Sequence, residues 1–269
     1  MSVVTNNVQC LGPADAMPVL FAHGFGCGQE MWRDVVPTFV DDHRVVLFDH
    51  VGCGGSDPGA FDPQRHRSLD GYAADVVDII DELALTGLVF VGHSVSGMIG
   101  VLAAARRPEE FAALVLVSPS PRYIDDGDYR GGFSESDIEE LLQSLDNNYL
   151  GWARSMAPTI MANPERPELG EELADSFCRV DPGIAKAFAH ATFRGDNRDD
   201  LAGVHVPTLI LQSARDAIAA PHVGEYVHQR IPDSELVVLD VSGHCPNLSA
   251  PQVTSAAIRR FVDDLSVRA

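Results

Sequence analysis

Short apolar runs recur along the chain and alternate with longer segments that have helical spacing. Each run is rich in β-branched residues or leucine, as strands are, and the runs occupy residues 19–22, 45–48, 88–91, 114–117, 209–211 and 236–239. Strands that alternate with helices are typical of βαβ units. The pattern therefore predicts an α/β fold with a mostly parallel central sheet flanked by helices.

The segment 69–83 has the clearest helical periodicity. Its apolar positions lie three and four residues apart, and its aspartates fall on the opposite face. Ser68 stands where an N-cap is expected. A helix rich in small residues is predicted over 98–106, and a terminal amphipathic helix over 253–265.

The character of the chain changes after the fourth run. No β-rich run occurs between residues 119 and 206, and four segments are predicted to be helical: 136–145, 149–161, 168–177 and 182–193. We therefore expect a helical cap at 121–204, inserted into a core formed by 1–120 and 205–269. Aromatic residues of this cap can line a pocket or simply pack the cap against the sheet, since packing is the chief use of aromatic side chains.

Composition and charge narrow the class of function. The 269 residues are 45% hydrophobic and 22% charged, which is typical of a globular protein. Lysine and arginine number 19 against 39 aspartates and glutamates, and the net charge is −20. This sign opposes binding to phosphate backbones and anionic membrane surfaces, so we expect neither a nucleic-acid nor a membrane partner.

Cysteine usage and the amino-terminal segment suggest the compartment. The five cysteines are odd in number and form no C-x-x-C pair, which disfavours a disulfide framework and a thiolate zinc site. Residues 1–18 contain no basic region followed by an apolar run, so no secretory signal is predicted. A cytoplasmic location with reduced thiols fits best. The chain has no H-E-x-x-H motif and no Walker lysine, so we expect neither a metal nor a cofactor.

The segment Gly92-His93-Ser94-Val95-Ser96 carries the chemistry. It directly follows an apolar run and precedes a helix, which is the setting of a nucleophile elbow. The segment departs from the usual G-x-S-x-G pattern because Ser96 stands at the second glycine position, although serine is small enough to be tolerated there. We predict that Ser94 is a nucleophile and that the Val95 N–H faces an oxyanion.

A base and an acid follow the serine in chain order. Asp216 and His244 each come just after one of the last two apolar runs. Because parallel strands end at the same edge of a sheet, we expect both side chains close to Ser94. Asp49 also follows an apolar run and is a competing acid, but its place before the serine favours a role in stabilising the loop 51–56.

A fourth segment, His23-Gly24-Phe25-Gly26, directly follows the first apolar run. The backbone N–H of Phe25 is predicted to complete an oxyanion hole with that of Val95. We interpret His23 as a residue that braces this loop. His93 is interpreted as a packed neighbour of the serine rather than a second base.

In these residues and in their order, the chain resembles the α/β-hydrolase superfamily. Within it, the resemblance is to the group that contains RsbQ, a bacterial stress-response regulator, and the plant karrikin and strigolactone receptors. It spans residues 19–262 and is carried chiefly by four motifs: His23-Gly24-Phe25-Gly26, Gly92-His93-Ser94-Val95-Ser96, Pro119-Ser120-Pro121-Arg122-Tyr123 and Gly131-Gly132-Phe133.

The resemblance implies a fold, a site and partners. It implies an α/β-hydrolase fold with a four-helix cap, a triad of Ser94, Asp216 and His244, and an oxyanion hole at Phe25 and Val95. It also implies a hydrophobic ligand pocket lined by Phe25, Tyr123, Phe133, Trp152, Met156 and Phe193. RsbQ-like proteins work with a phosphatase, so a regulatory phosphatase is an implied partner.

Two functional hypotheses follow, and they belong to different classes. The first is a serine hydrolase of a small hydrophobic ester or lactone, butenolide-like, that forms an acyl-enzyme. The second is a signalling regulator or ligand receptor that hydrolyses slowly and acts by binding a partner. A cofactor-free haloperoxidase or a carbon–carbon bond hydrolase uses the same triad and stays open, whereas a dehalogenase would need an aspartate in place of Ser94.

Overall fold

A seven-stranded sheet runs through the computed structural model, which describes residues 1–268. The strands are β1 Gln9–Leu11, β2 Pro18–Ala22, β3 Arg44–Phe48, β4 Leu88–His93, β5 Phe111–Val117, β6 Thr208–Arg215 and β7 Ser234–Ser242. Their order across the sheet is β1-β3-β2-β4-β5-β6-β7, and every neighbouring pair is parallel except β1 with β3. The mostly parallel sheet predicted from the sequence is confirmed.

All six apolar runs lie in strands, but β1 was not predicted. The residues of β2 and β4 are buried throughout, as expected for central parallel strands covered on both faces. The three residues of β1 are exposed and form the antiparallel edge of the sheet. This strand therefore leaves no apolar run in the sequence.

Helices cover the sheet and form the cap. They are α1 Ser2–Thr5, α2 Leu69–Leu83, α3 Val95–Arg106, α4 Glu135–Asn147, α5 Tyr149–Met161, α6 Pro167–Arg179, α7 Pro182–Phe193, α8 Pro221–Arg230, α9 Pro246–Ser249 and α10 Pro251–Arg268. The bounds of α2 match the predicted segment, and Ser68 is its N-cap residue, although the Ser68 hydroxyl bonds to Asp70 rather than to the helix backbone. Helix α3 begins three residues earlier than predicted, directly after Ser94.

Helices α4 to α7 lie between β5 and β6, within the predicted cap 121–204, whose exact boundaries remain a prediction. Three of them begin with side-chain caps: Ser134 and Asp137 form a capping box at α4, Asn148 accepts the Gly151 N–H at α5, and Asp181 accepts two backbone N–H groups at α7. These caps satisfy backbone donors that would otherwise lack partners at the helix starts.

Within residues 1–268, no helix combines the length and the apolar character needed to cross a bilayer. The stretch 88–105 forms β4, a turn and most of α3.

The close packing of α3 on β4 should make the protein sensitive to an added methyl group at Gly100. A Cβ on Gly100 would lie 2.5 Å from a ring carbon of Phe90, which is fully buried. Overpacking costs about 1–3 kcal/mol, whereas replacing glycine by alanine inside a helix gains about 1 kcal/mol. Because these two effects oppose each other, Gly100→Ala should lower the free energy of unfolding in urea by about 1 kcal/mol, and by about 2 kcal/mol at most.

Gly203 provides the matched control, because a Cβ there would meet nothing within 4 Å. Gly203→Ala should leave the unfolding free energy within about 0.5 kcal/mol of the wild type. Equal unfolding midpoints for the two variants would contradict tight packing of α3.

Candidate active site

Ser94 occupies a sharp turn between β4 and α3. Its backbone has φ 55° and ψ −121°, a conformation that a residue with a side chain rarely adopts. The turn is held because the Ser94 N–H donates to the Val117 carbonyl (2.8 Å) and the Gly97 N–H donates to the Ser94 carbonyl (2.9 Å). Gly92 is required beside it, since a Cβ at that position would collide with the backbone carbonyl of Ser96. The strained turn sets the direction of the serine side chain.

The structure brings Ser94, His244 and Asp216 into one line of hydrogen bonds. Nε2 of His244 lies 2.7 Å from Oγ of Ser94, and Nδ1 lies 2.8 Å from Oδ2 of Asp216. All three residues are buried. The carboxylate can only accept, so Nδ1 of His244 carries the proton and Nε2 is free to accept the serine hydroxyl.

The acid is fixed by the loop that follows β6. Oδ1 of Asp216 accepts the backbone N–H groups of Ile218 (2.8 Å) and Ala219 (3.0 Å). Burial of Asp216 alone would raise its pKa, but the charge of protonated His244 and these hydrogen bonds outweigh burial and hold the pKa below its ordinary value. Asp216 is therefore ionised at neutral pH and orients the imidazole.

The imidazole is fixed by the cap as well as by the sheet. The backbone N–H of His244 donates to the carbonyl of Ile160 at the end of α5 (2.9 Å). Gly243 has φ 94°, and a Cβ there would collide with the Met161 carbonyl, so only glycine allows this approach. The loop that carries the base therefore packs directly on the cap.

Two backbone N–H groups are available for an oxyanion. Val95 is the first residue of α3, where backbone donors have no partner within the helix and the helix dipole is positive. Among residues 1–268, the N–H groups of Phe25 and Val95 take part in no intramolecular hydrogen bond. Both residues line the cavity that contains Ser94. Their placement is compatible with the predicted oxyanion hole.

An apolar cavity of about 40 Å³ lies above Ser94. Five of the six predicted pocket residues line it, namely Phe25, Tyr123, Trp152, Met156 and Phe193. The ring of Phe25 packs against the rings of Trp152, Phe177 and Phe193 at centroid distances of 5.8–6.1 Å. The cavity is far smaller than the ~300–1,000 Å³ of pockets for drug-sized ligands.

Phe133 does not line this cavity, contrary to the prediction. Its backbone N–H donates to the Tyr123 carbonyl (3.2 Å), and its carbonyl accepts the N–H of Asp125 (2.8 Å). Phe133 therefore closes a short loop at the base of the cap, and its side chain packs half-buried against the core.

The cavity is also lined by residues that were not predicted as pocket residues: Cys27, Leu141, Ile160, Leu173, Phe177, Thr192, Ile218 and Cys245. Cys27, Thr192, Ile218 and Cys245 lie one or two positions from predicted site residues, and that proximity is an available signal. Phe177 is one of the cap aromatics that were expected either to line a pocket or to pack the cap. The other three, Leu141, Ile160 and Leu173, are ordinary apolar residues of the cap, with no local signature that separates lining from packing.

The remaining polar candidates hold loops. Nε2–H of His93 donates to the His244 backbone carbonyl (2.8 Å). Burial and, to a smaller extent, the charge of protonated His244 lower the pKa of His93 to about 3. His93 is therefore neutral and supports the base from below. Asp49 accepts hydrogen bonds from the N–H of Gln29 (2.7 Å) and the N–H of Gly55 (2.9 Å), so it braces the loop after β3.

Residues 1–268 contain no group of three or more histidine, cysteine, aspartate or glutamate side chains placed to hold an ion. All five cysteines are free thiols.

Comparison with known proteins places this geometry in context. Residues 19–257 match the model of the alpha/beta hydrolase family. The chain is 39% identical over 258 residues to the karrikin insensitive 2 receptor CA of Petunia hybrida, covering 96% of this chain and 95% of that protein. It is 37% identical over 255 residues to the strigolactone esterase D14 of Arabidopsis thaliana, covering 94% and 95%. The solved hydrolase olei00960 of Oleispira antarctica superposes with a TM-score of 0.94 at 40% identity, covering 97% and 96%.

The burial of His93 predicts how stability depends on pH. An unfolded histidine titrates near pH 6.5, whereas His93 stays neutral in the folded state down to about pH 3. Between these values the unfolded chain binds the extra proton, so stability falls as the pH falls below 6.5. His93 alone should account for about 2 kcal/mol of lost unfolding free energy between pH 7 and pH 5.

The measurement is the free energy of urea unfolding at pH 7 and at pH 5, for the wild type and for His93→Gln. The glutamine side-chain amide can still donate to the His244 carbonyl. The loss between the two pH values should be about 2 kcal/mol smaller in His93→Gln. His205→Gln, at an exposed position, is the control and should retain the wild-type loss. An identical loss in His93→Gln would show that His93 does not stay neutral.

Proposed function

The chain belongs to the alpha/beta hydrolase family, and from that premise we propose that it hydrolyses small, mainly apolar esters or lactones through an acyl-enzyme on Ser94. One observation carries the proposal: the unbroken series of contacts from Ser94 Oγ through the His244 imidazole to the Asp216 carboxylate. This arrangement supplies a nucleophile, a base and a group that orients the base.

The proposed reaction begins with proton transfer. Nε2 of His244 accepts the hydroxyl proton as Ser94 Oγ attacks the carbonyl carbon, and Asp216 stabilises the imidazolium. The carbonyl oxygen becomes an anion that binds the N–H groups of Phe25 and Val95. The C–O bond to the alcohol then breaks, and His244 donates its proton to the leaving oxygen. In the second half, the same imidazole deprotonates a water molecule that attacks the acyl carbon; the ester bond to Ser94 breaks, and His244 returns the proton to Ser94 Oγ as the acid leaves.

The cavity supports a small acyl group. Its volume of about 40 Å³ leaves little room beside the serine, and its walls are mainly aromatic, aliphatic and sulfur-containing. The relative from Arabidopsis thaliana is named a strigolactone esterase, which favours a butenolide-like lactone among the possible substrates. No metal or organic cofactor has a role in this mechanism.

A second candidate function is ligand perception with slow turnover. It is favoured by the similarity to a protein named as a karrikin insensitive 2 receptor, which extends over 96% of this chain. In this role the acyl-enzyme would persist and the output would be contact with a partner protein. A regulatory phosphatase is the partner implied by the resemblance to RsbQ.

Removing the nucleophile tests the hydrolase. Ser94→Ala should reduce turnover of p-nitrophenyl acetate by at least about 10³-fold, because no other group can form the acyl-enzyme. Ser255→Ala removes a buried hydroxyl of α10 that donates to the Gln252 carbonyl, and it should keep wild-type turnover. Hydrolysis retained in purified Ser94→Ala would refute the assignment of Ser94.

A fluorogenic strigolactone-like butenolide separates the two candidate functions. Rapid release of product, at or above the enzyme median of ~10 per second, favours a metabolic hydrolase. Turnover far below that value favours a receptor if two further results accompany it. Mass spectrometry should show a covalent adduct that is slowly hydrolysed on the wild type and absent on Ser94→Ala, and the ligand should raise Tm. Cleavage of simple esters alone would exclude the butenolide substrate class.

Enlarging the cavity should change acyl selectivity. Phe193→Ala removes a ring that packs on both Phe25 and Tyr123, so kcat/KM for p-nitrophenyl octanoate should rise about tenfold relative to that for the acetate, a gain of about 1.4 kcal/mol in selectivity. Phe61→Ala removes a half-buried ring that lies outside the cavity and should leave the ratio unchanged. An unchanged ratio in Phe193→Ala would show that this ring does not limit the acyl chain.

A further inference from the structure

Ser96, the residue that departs from the G-x-S-x-G pattern, makes two hydrogen bonds in the core. It is fully buried in the first turn of α3. Its Oγ lies 2.5 Å from the carbonyl oxygen of His23 and 2.7 Å from Nε2 of His50. These partners belong to the loops that follow β2 and β3, so one hydroxyl joins three elements of the site.

The direction of each hydrogen bond is determined by chemistry. The His23 carbonyl can only accept, so the Ser96 hydroxyl donates to it, and His50 must then donate to Ser96 through Nε2–H. Nδ1 of His50 is left without a proton, and within the described residues this buried atom has no partner. Burial lowers the pKa of His50 well below its usual value, which agrees with a neutral ring.

A second set of bonds closes the network. The backbone N–H of His50 donates to Nε2 of His23 (2.9 Å), and Nδ1–H of His23 donates to the Gly24 carbonyl (2.8 Å). The loop after β2 is thus tied down through both its backbone and its side chain. Phe25, which carries one of the two proposed oxyanion donors, is the next residue.

We propose that Ser96 is a positioning residue that fixes the Phe25 N–H relative to the Val95 N–H through its hydrogen bonds to His23 and His50. The inference rests on the proposed function, because it assigns Ser96 a role in stabilising the oxyanion of the same site. Ser96 does not touch the substrate and transfers no proton in the reaction.

The physical reason lies in the origin of the two donors. The Val95 N–H is part of α3, whereas the Phe25 N–H belongs to a loop, and an oxyanion is stabilised only when both donors stand at hydrogen-bond distance from it. Ser96 follows Val95 in the chain and bonds to the residue two positions before Phe25. Glycine at position 96 would leave the loop without this link to the helix.

The test compares the wild type, Ser96→Ala and Ser96→Cys on p-nitrophenyl acetate and on an aryl trifluoromethyl ketone. Ser94 Oγ adds to the ketone carbon, its proton passes to His244, and the ketone oxygen becomes an oxyanion in the hole. We expect kcat to fall at least about tenfold in Ser96→Ala, less than the ~10²–10³ for complete loss of a donor, with KM within twofold. The affinity for the ketone should fall by the same factor as kcat.

Ser96→Cys keeps a weak donor of similar size and should fall between the other two. It also serves as the readout if Ser96→Ala does not fold, which Tm will show. Ser255→Ala, another buried serine that donates to a backbone carbonyl, controls for the general loss of a core hydroxyl and should keep both kcat and ketone affinity.

The possible outcomes distinguish failure of the positioning role from failure of the proposed function. An active wild type with unchanged kcat or unchanged ketone affinity in a folded Ser96 variant would overturn the positioning role alone. A rise in KM with constant kcat would also overturn it, since that pattern reports lost uniform binding. A wild type that neither hydrolyses esters nor forms the ketone adduct would overturn the proposed function, and the positioning role with it.

Discussion

The strained turn at Ser94 is the constraint on which the site depends. A serine at φ 55° costs about 1–3 kcal/mol relative to a relaxed backbone, so the surroundings must enforce the conformation. They do so because β4 is fixed in parallel register between β2 and β5, and because glycines allow α3 to lie almost against β4. The turn then directs Oγ away from the sheet, toward a base that other strands supply.

Parallel topology explains how distant residues meet at that hydroxyl. The register pairs Arg215 of β6 with Ser242 of β7, so the loops after these strands leave the sheet side by side and Asp216 reaches His244. The order of the residues in the chain and their places at strand ends were therefore enough to predict from the sequence that the three side chains lie together. The spacing of apolar residues likewise predicted α2 and the helices of the cap. These features depend on local patterns and on one rule of topology.

Other features depend on packing, and the sequence did not reveal them. Strand β1 is exposed and has no apolar run, so only its pairing with β3 defines it. Phe133 and Phe177 are both apolar aromatics near the cap, yet only Phe177 lines the cavity; backbone pairing draws Phe133 into a loop instead. The bonds of Ser96 were also hidden, because their partners come from two separate loops.

The cap has a second role beyond covering the cavity. Helix α5 ends at Met161, and its last carbonyls would lack partners in an isolated helix. The Ile160 carbonyl accepts the N–H of His244, and the Asn163 side chain donates to the Ser242 carbonyl (3.1 Å). A backbone carbonyl of the last turn of the cap helix and a side chain just beyond that helix thus hold the loop of the base. The position of the imidazole relative to Ser94 therefore depends on the cap as well as on the sheet.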